Sequence, residues 1–429
     1  MNNSILQSFV APPSLPDAQS PLTLEDRQIM RSFFESAYKP ESDWKIGMEY
    51  ECSGLHMDDL SVLQFFGEHD IEGILAAFRE LYPNAPVIME SDFCFGLKPA
   101  HGNITLEPGA QIEFSGAASN SLQEINDGLL QFLRELCGIG QKFGVGFYTA
   151  GVDPFHPLDA RPWSHKSRYK VMRQYLITRG KLAHHMMKQT MSAQFNIDYS
   201  TEADALLKYE AARRLQPLFL HLSSNSRIYE QKVLDAPMRG DIWNHTDPDR
   251  SGLPPAIQSF DDYVEYALDV PVFLIARENG DVPIANGLTF RGFLTEGFQG
   301  HTAQFRDWEQ HLSTLFPEVR FKKNALELRM FDGNQPALTM SFCALVKGIF
   351  FDTAIMEQVV GRTWNSTWED AEALLKLADQ GLTAEEKQFL QPLAARVQSQ
   401  RLPGDDSVAV LEESGDPRKL FDHLKLCVG

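Results

Sequence analysis

Apolar and polar residues alternate along "ITLEPGAQIEFSG", Ile104 to Gly116. Ile104, Leu106, Ala110, Ile112 and Phe114 form one set, and Thr105, Glu107, Gln111 and Glu113 the other. Successive side chains of a strand point to opposite faces. The stretch therefore predicts two strand pieces joined across Pro108-Gly109, with one greasy face and one gathering two carboxylates and an amide. Three further stretches repeat the pattern. In "WKIGMEYE", Ile46, Met48 and Tyr50 alternate with Gly47, Glu49 and Glu51. In "AQFNIDYS", Phe195, Ile197 and Tyr199 alternate with Gln194, Asn196 and Asp198. In "ALELRMFDG", Leu326, Leu328 and Met330 alternate with Glu327, Arg329 and Phe331.

Helical periodicity fills the intervals. Thr23-Leu24-Glu25-Asp26 is a capping pattern that predicts a helix over Leu24–Phe34. In "SLQEINDGLLQFLRELCGIG", Ser121 and Glu124 form a capping box, and Leu122, Ile125, Leu129, Phe132, Leu133 and Leu136 make an apolar stripe. Gly138, Gly140 and Gly144 do not spell a dinucleotide-binding loop after a strand, and predict a helix stop and turn. "VFLIARENGDVPIANG" predicts a hairpin turning at Asn279-Gly280. Beyond Phe350 the pattern is helical again, with a cap at Thr383 and Glu386 and a loop at "RLPGDDS". Strands interspersed with long helices predict an α+β fold with one mostly antiparallel sheet. Residues 1–21, rich in Pro, Ser and Asn, predict a flexible arm. Residues 22–429 predict a single domain, helical from about 351.

Composition narrows the partners. The chain has 429 residues, with 39 Lys+Arg against 58 Asp+Glu, a formal charge of −19. That balance argues against nucleic acid or an anionic membrane surface, since both need a basic footprint. Cys52, Cys94, Cys137, Cys343 and Cys427 make neither a disulfide framework nor a C-x-x-C metal site, and fit a reducing compartment. No apolar run approaches the ~20 residues that span a bilayer. The first 21 residues hold no Lys or Arg, unlike a signal or transit peptide. A soluble protein of the cytoplasm is expected.

Any one polar row has a simple reading as the solvent face of a half-covered strand. Four such rows rich in acids and amides raise another. Like charges on neighbouring strands weaken their pairing, and hard oxygen donors suit Mg²⁺ or Mn²⁺, which commonly hold substrate phosphates. Spacing alone leaves both readings open. The P-loop, H-E-x-x-H and G-x-S-x-G patterns are missing from the sequence, and His184-His185, being adjacent, point to different sides of a helix. Basic residues gather in two places. "SRYKVMRQYL" carries Arg168, Lys170 and Arg173; "APMRGDIWNHTDPDRSG" carries Arg239, Trp243, Thr246 and Arg250. Each arginine is either a surface ion pair worth at most about 1 kcal/mol or a fork-shaped donor for phosphate or carboxylate.

Taken together, the chain resembles the plant and proteobacterial type of glutamate–cysteine ligase. "IGMEYE", "ITLEPGAQIEFSGA", "SRYKVMRQYL", "MMKQTMSAQFNIDYSTEAD", "APMRGDIWNHTDPDRSG", "DDYVEYALDVPVFLIAR" and "LFPEVRFKKNALELR" carry the likeness, in the family's order, from about Trp44 to about Phe350. The resemblance implies a glutamine-synthetase-like fold whose curved antiparallel sheet forms a cup for Mg²⁺ (or Mn²⁺), ATP and glutamate. It implies that Glu49, Glu51, Glu107, Glu113 and Glu327 hold the metals. It assigns Trp243, Thr246, Arg250, Gln194 and Asn196 to glutamate, Arg239 and Arg329 to the reacting phosphate, and Arg168, Lys170 and Arg173 to the nucleotide. The implied reaction is ATP-dependent formation of γ-glutamylcysteine, on small-molecule partners alone. A different amine acceptor, or a homologue that binds without turnover, are the alternatives. Where the family usually reads GTEHEKFG, this chain has "GMEYECSG", so Met48, Tyr50 and Cys52 replace Thr, His and Lys. The family's loop with a regulatory cysteine is shortened, which leaves Cys343 without an evident disulfide partner and implies no redox control through it.

Overall fold

The computed structural model describes residues 11–275, 277, 280–284 and 286–426. Strands β1 (Ile46–His56), β2 (Val87–Glu90), β3 (Phe93–Leu97), β4 (Gly102–Leu106), β5 (Ile112–Gly116), β6 (Val145–Tyr148), β7 (Ser192–Ile197), β8 (Val319–Phe321) and β9 (Leu326–Asp332) form one antiparallel sheet. The order is β8-β9-β7-β1-β5-β4-β3-β2, an open path with β6 added beside the far half of β1. The four stretches with alternating polarity supply the middle of this sheet.

Register explains why one face is core. Tyr50 lies opposite Phe114, Met48 opposite Phe195, and Leu328 opposite Phe195. With Ile46, Cys52 and Ile112 these residues are almost wholly buried. Helices α1 (Leu122–Phe143), α4 (Glu202–Ser223) and α6 (Pro336–Phe350) belong to that core, and α2 (Ser167–Leu176), α3 (Ala183–Gln189) and α5 (Arg239–Asn244) carry the second hydrophobic cluster. Phe114 stacks on Phe132 of α1 with centroids 4.7 Å apart, and Phe331 meets Phe219 of α4 at 4.9 Å and Phe342 of α6 at 5.3 Å. Burying each such side chain contributes about 1.5–3 kcal/mol. The core face is thus built from β-branched, aromatic and Leu positions two apart, as the period of a strand requires.

Several expectations shift at their edges. The amide of Glu124 donates to Ser121 Oγ at 3.3 Å, but the Glu124 carboxylate turns to Ser119 instead of closing the box. Helix α1 runs through Gly138 and Gly140 and stops at Gly144, whose φ of 68° is left-handed. Gly140 serves close packing, since a Cβ there would come within 2.6 Å of the Val145 carbonyl oxygen. The Thr23 amide donates to Asp26 at 2.7 Å, and the helix proper is Arg27–Glu35. The expected arm is docked at its end: Leu22 N donates to Ala303 O at 3.0 Å, and Phe305 N to Ser20 O at 2.9 Å. The segment "RLPGDDS" opens a helix, Pro403–Ser414, because Pro suits the first helical position and Asp405 accepts from Leu402 N at 2.8 Å. Thr383 and Glu386 cap each other as expected, at 3.2 and 3.3 Å. Leu274 and Ile275 pair antiparallel with Pro283 and Val282, while Asn279 of the expected turn lies outside the described residues. Among the described residues no single helix is long and apolar enough to cross a membrane.

Candidate active site

Across the other face of the sheet the polar rows fall into register. Glu51 lies opposite Glu113, and Glu113 opposite Thr105. Glu49 lies opposite Ser115 on one side and Gln194 on the other, and Asn196 opposite Glu327. Glu49, Glu51, Glu107, Glu113, Gln194, Arg168, Trp243 and Arg329 line one cavity of about 490 Å³. Of the residues the resemblance assigned, these are the ones the fold brings together.

The turn after β4 shows how the chain positions the acids. Glu107 N donates to Gln111 O at 2.9 Å, and Gly109 N to Gln111 Oε1 at 2.8 Å. Gln111 Nε2 then donates to Thr190 O at 3.0 Å. A Cβ on Gly109 would sit 2.3 Å from the Lys188 carbonyl oxygen, so the turn docks directly on α3. The next residue, Ala110, holds a left-handed φ of 67°, a conformation that costs a non-glycine residue of order 1 kcal/mol. Gln111 is therefore spent on the turn that sets Glu107 and Glu113 at the cavity.

The carboxylates differ in their surroundings. Glu51 Oε2 accepts from Ser192 N at 2.6 Å and Ser192 Oγ at 3.0 Å, yet burial and the neighbouring Glu107 push its carboxyl up to about 7. Glu113 accepts from Thr105 Oγ1 and Ser115 Oγ, both at 3.1 Å. Burial, followed by Glu49, Glu107 and Glu51, pushes it well above the usual carboxylate range. Glu49 accepts from Asn196 Nδ2 at 3.1 Å and pairs with Lys322 at 2.9 Å.

Glu327 is of another kind. Burial would raise its carboxyl, but Arg320, Lys322 and Arg329 together hold it well below the usual range. It pairs with Arg320, with Lys322 at 2.8 Å and with Arg329 at 2.9 Å. It lies beneath the cavity and orders these cations, apart from the four acids that line the cavity. Asn196 likewise lies beneath the lining, between Glu49 and Glu327.

A cluster of hydrogen-bond donors stands beside the acids. The register of β9 shifts between Leu328 and Phe331, a bulge of the sort that re-aims a side chain. It brings Arg329 to the cavity, where Nη1 donates to Gln194 Oε1 at 2.5 Å and to Glu327 at 2.9 Å. The guanidinium groups of Arg329 and Arg239 lie 5.3 and 5.7 Å from the Trp243 ring centroid. Arg239, 1% exposed, sits behind this lining and donates to Arg329 O at 2.8 Å. Trp243 Nε1, Arg329 Nε, and Arg239 Nε and Nη1 are buried without a hydrogen-bond partner. Each buried donor without a hydrogen bond costs about 1–3 kcal/mol; the indole N–H and three guanidinium N–H groups beside it, of which Arg239 Nε faces Asp332 at 3.9 Å, could be satisfied by an anion.

Other assigned residues lie apart from the cavity lining. Arg250 is fully buried and does not line the cavity. Its Nε donates to Asp247 at 2.8 Å, Nη1 to Thr314 O at 3.3 Å and Nη2 to Pro271 O at 2.6 Å, and Phe273 lies 3.8 Å beneath the guanidinium. Thr246, just past the end of α5, turns its Oγ1 back to donate to Ile242 O at 2.8 Å. Of Trp243, Thr246 and Arg250, then, Trp243 alone faces the cavity. On α2, Arg168 lines the cavity and donates to Ser313 O at 3.0 Å, whereas Lys170 and Arg173 are exposed, Arg173 lying 4.5 Å over the Trp163 ring. The cavity also takes Arg320, Lys322, Tyr169 and Ser192, and an apolar wall of Met172, Met186, Met187 and Phe316, none of which was expected. The substituted residues Met48, Tyr50 and Cys52 point into the core, with Tyr50 Oη donating to Asn334 O at 2.9 Å.

No group of three His, Cys, Asp or Glu side chains among the described residues is drawn together into a ready metal cage. The donor set nonetheless fits a hard divalent cation: Glu51 and Glu113 are opposed in register at one cavity with Glu49 and Glu107, and burial together with the neighbouring carboxylates raises both.

The model of glutamate–cysteine ligase family 2 matches residues 45–420. The chloroplastic glutamate–cysteine ligase of Brassica juncea is 34% identical over 363 residues, 83% of this chain and 68% of that one. That of Medicago truncatula is 33% identical over 365 residues, 83% and 70%. These relatives overturn the cytoplasmic location expected from composition, for they are chloroplastic proteins, and a cysteine-poor acidic chain does not distinguish one reducing compartment from another. In fold, the chain is similar to the glutamate–cysteine ligase of Francisella tularensis solved with AMP, with a TM-score of 0.55 at 12% identity over 89% of this chain and 87% of that one. The bifunctional glutathione synthetase of Pasteurella multocida gives 0.52 at 13% identity, covering 93% of this chain and 53% of that one. The glutamine-synthetase-like α+β fold expected from the sequence is the one these ligases share with it. On the match of residues 45–420, and 34% identity to a relative over 83% of its own length, the chain belongs to glutamate–cysteine ligase family 2.

Proposed function

We propose that this chain is an ATP-dependent ligase that joins the γ-carboxylate of glutamate to the amine of cysteine. The observation that carries the reading is one cavity in which Glu49, Glu51, Glu107 and Glu113 face the unpartnered donors of Trp243 and Arg329. We take residues 22–429 as one catalytic unit, since a continuous core runs from Leu22 to Leu426.

Glu49, Glu51, Glu107 and Glu113 would hold Mg²⁺ or Mn²⁺, which when bound neutralises phosphate charge and orients ATP. Arg168, Arg320 and Lys322 supply fixed positive charge for the nucleotide phosphates. Arg329 and Trp243, backed by Arg239, hold glutamate with its γ-carboxylate toward the γ-phosphorus. A γ-carboxylate oxygen attacks that phosphorus, the bond to the bridging oxygen breaks, and ADP leaves. The cysteine amine then attacks the acyl carbon, the carbon–oxygen bond to phosphate breaks, and the amine nitrogen releases its proton as the amide forms. The side chains act by positioning and by stabilising charge on the transferred group, without a covalent enzyme intermediate. Gln194 and Asn196 hold Arg329 and Glu49 in place.

An ADP-release assay on the purified chain, leaving out glutamate, cysteine, ATP or divalent metal in turn, tests this. Every omission should abolish turnover; ADP release independent of both amino acids would make the chain a nucleotide hydrolase or binder instead.

A further inference from the structure

The cavity has two unlike walls. The sheet side presents the carboxylates and amides with Arg320, Lys322 and Arg329, whereas α2, α3 and the Phe316 segment present Arg168 and Tyr169 and a group of Met172, Met186, Met187 and Phe316, these four each buried to at least nine-tenths. Met186 and Met187 are the cavity-lining side chains of α3. We infer that Met172, Met186 and Met187 form the subsite for the side chain of the acceptor amino acid and restrict it to small uncharged chains. This rests on the ligase reading above and names what that reading leaves open.

Two of the three reactants are matched elsewhere. Phosphates and the glutamate carboxylates need cations and hydrogen-bond donors, which the sheet, Arg168, Arg320, Lys322 and Arg329 supply. An acceptor must bring a neutral amine to the acyl group while its side chain rests against something. Thioethers are polarizable, unbranched and uncharged, so they pack well on a thiol or a short alkyl group. A carboxylate or ammonium side chain there would lose its hydration without gaining a partner, and would be rejected.

The wall is also fixed in height relative to the acids. Gly109 abuts the Lys188 backbone, Gln111 Nε2 donates to Thr190 O at 3.0 Å, and Thr190 Oγ1 donates to Met186 O at 2.8 Å. One chain of contacts thus links the turn carrying Glu107 to the methionines. The purine of ATP is the other apolar group that could rest here. A separate recess of about 450 Å³, lined by Phe33, Leu312 and Phe321, adjoins the cavity through Ser313, Arg320 and Lys322 and offers apolar surface beside the phosphate-facing cations. The methionines, joined through Thr190 and Gln111 to the turn that carries Glu107, are left to the acceptor.

The test measures initial ADP release with cysteine, alanine, 2-aminobutyrate, homocysteine and aspartate as acceptors, at saturating glutamate and ATP. The proteins are wild type, Met186→Ala, Met187→Ala and Met187→Leu, each checked for folding by thermal melt. Shortening either methionine should raise kcat/KM for homocysteine relative to cysteine by about tenfold or more, the scale of one methylene in an apolar pocket. Met187→Leu should restore most of the wild-type ratio, and the KM values for glutamate and ATP should move by less than about twofold. An unchanged acceptor ratio in folded variants, or a larger shift in KM for ATP than in the acceptor ratio, overturns the subsite while leaving the ligase reading intact. Wild-type ADP release that no acceptor stimulates overturns the ligase reading itself.

Discussion

Glu51 of β1 and Glu113 of β5 stand directly opposite each other in register, two carboxylates where a sheet normally pairs opposite charges or apolar groups. Glu51 is buried and Glu113 half-buried, and both are pushed up from the ordinary carboxylate range, Glu51 to about 7. The fold therefore bears an electrostatic cost at the centre of its longest strand, which a bound divalent cation would offset.

That cost should be visible as a pH-dependent stability. Glu51 binds its proton more tightly in the folded chain than the ordinary 4.5, so its contribution is fully present below that value and is lost as pH rises through about 7. In EDTA the melting temperature should fall between about pH 5 and about pH 8, and the fall should be smaller in Glu51→Gln. Adding Mg²⁺ should reduce the fall in wild type. Parallel curves for wild type and Glu51→Gln would show that this carboxyl is not perturbed.

Arg329 reaches the cavity through a bulge and touches Gln194 and Glu327 at 2.5 and 2.9 Å. Arg329→Ala should lower kcat/KM for glutamate by a factor of about 10² or more, the usual effect of removing one preorganised donor. The protein should stay folded, because Glu327 retains Arg320 and Lys322. Steady-state kinetics with a melt as control decide; near-normal turnover would remove Arg329 from the reacting end.

Arg250 makes its hydrogen bonds to Asp247, Thr314 and Pro271, while its carbonyl oxygen accepts from Phe316 N at 2.7 Å. It fastens α5 and its Trp243 to the Phe316 wall. Arg250→Lys keeps the charge but cannot span the three acceptors, and should cost about 2–4 kcal/mol of stability. A melt unchanged from wild type, together with a large loss of glutamate affinity, would return Arg250 to a direct ligand role.

Cys52 and Cys343 are fully buried, and burial pushes both thiols up. Neither should react with an alkylating reagent in the native protein, and both should react once it is unfolded. Peptide mapping after timed labelling reads this directly. Rapid native labelling of Cys343, with a matching change in activity, would contradict its placement in the core of α6.

The acid rows were legible because a strand's period is fixed at two: choosing Ile46, Met48 and Tyr50 as core forces Glu49 and Glu51 to the other face. The same rule was available for Val319 and Phe321, and would have exposed Arg320 and Lys322. Depth was harder to read. Arg168, Lys170 and Arg173 share a helix, but two residues are about 200° of helical turn, so Lys170 faces away from the cavity that Arg168 and Met172 line. Arg250 carries the right chemistry for a carboxylate, and nothing in the local sequence says that Thr314 and Pro271, distant in the chain, take up its donors. The bulge that aims Arg329 arises from β9 pairing with β7, and has no glycine or proline to announce it.

In the proposed reaction glutamate is activated by phosphorylation on its γ-carboxylate before the amine attacks. Glutamate labelled with ¹⁸O in that carboxylate, incubated with the chain, ATP, Mg²⁺ and cysteine, tests it most directly by mass spectrometry of the products. One labelled oxygen should appear in inorganic phosphate for each γ-glutamylcysteine formed. Peptide formation with unlabelled phosphate, or labelled phosphate with no γ-glutamylcysteine, would contradict the account.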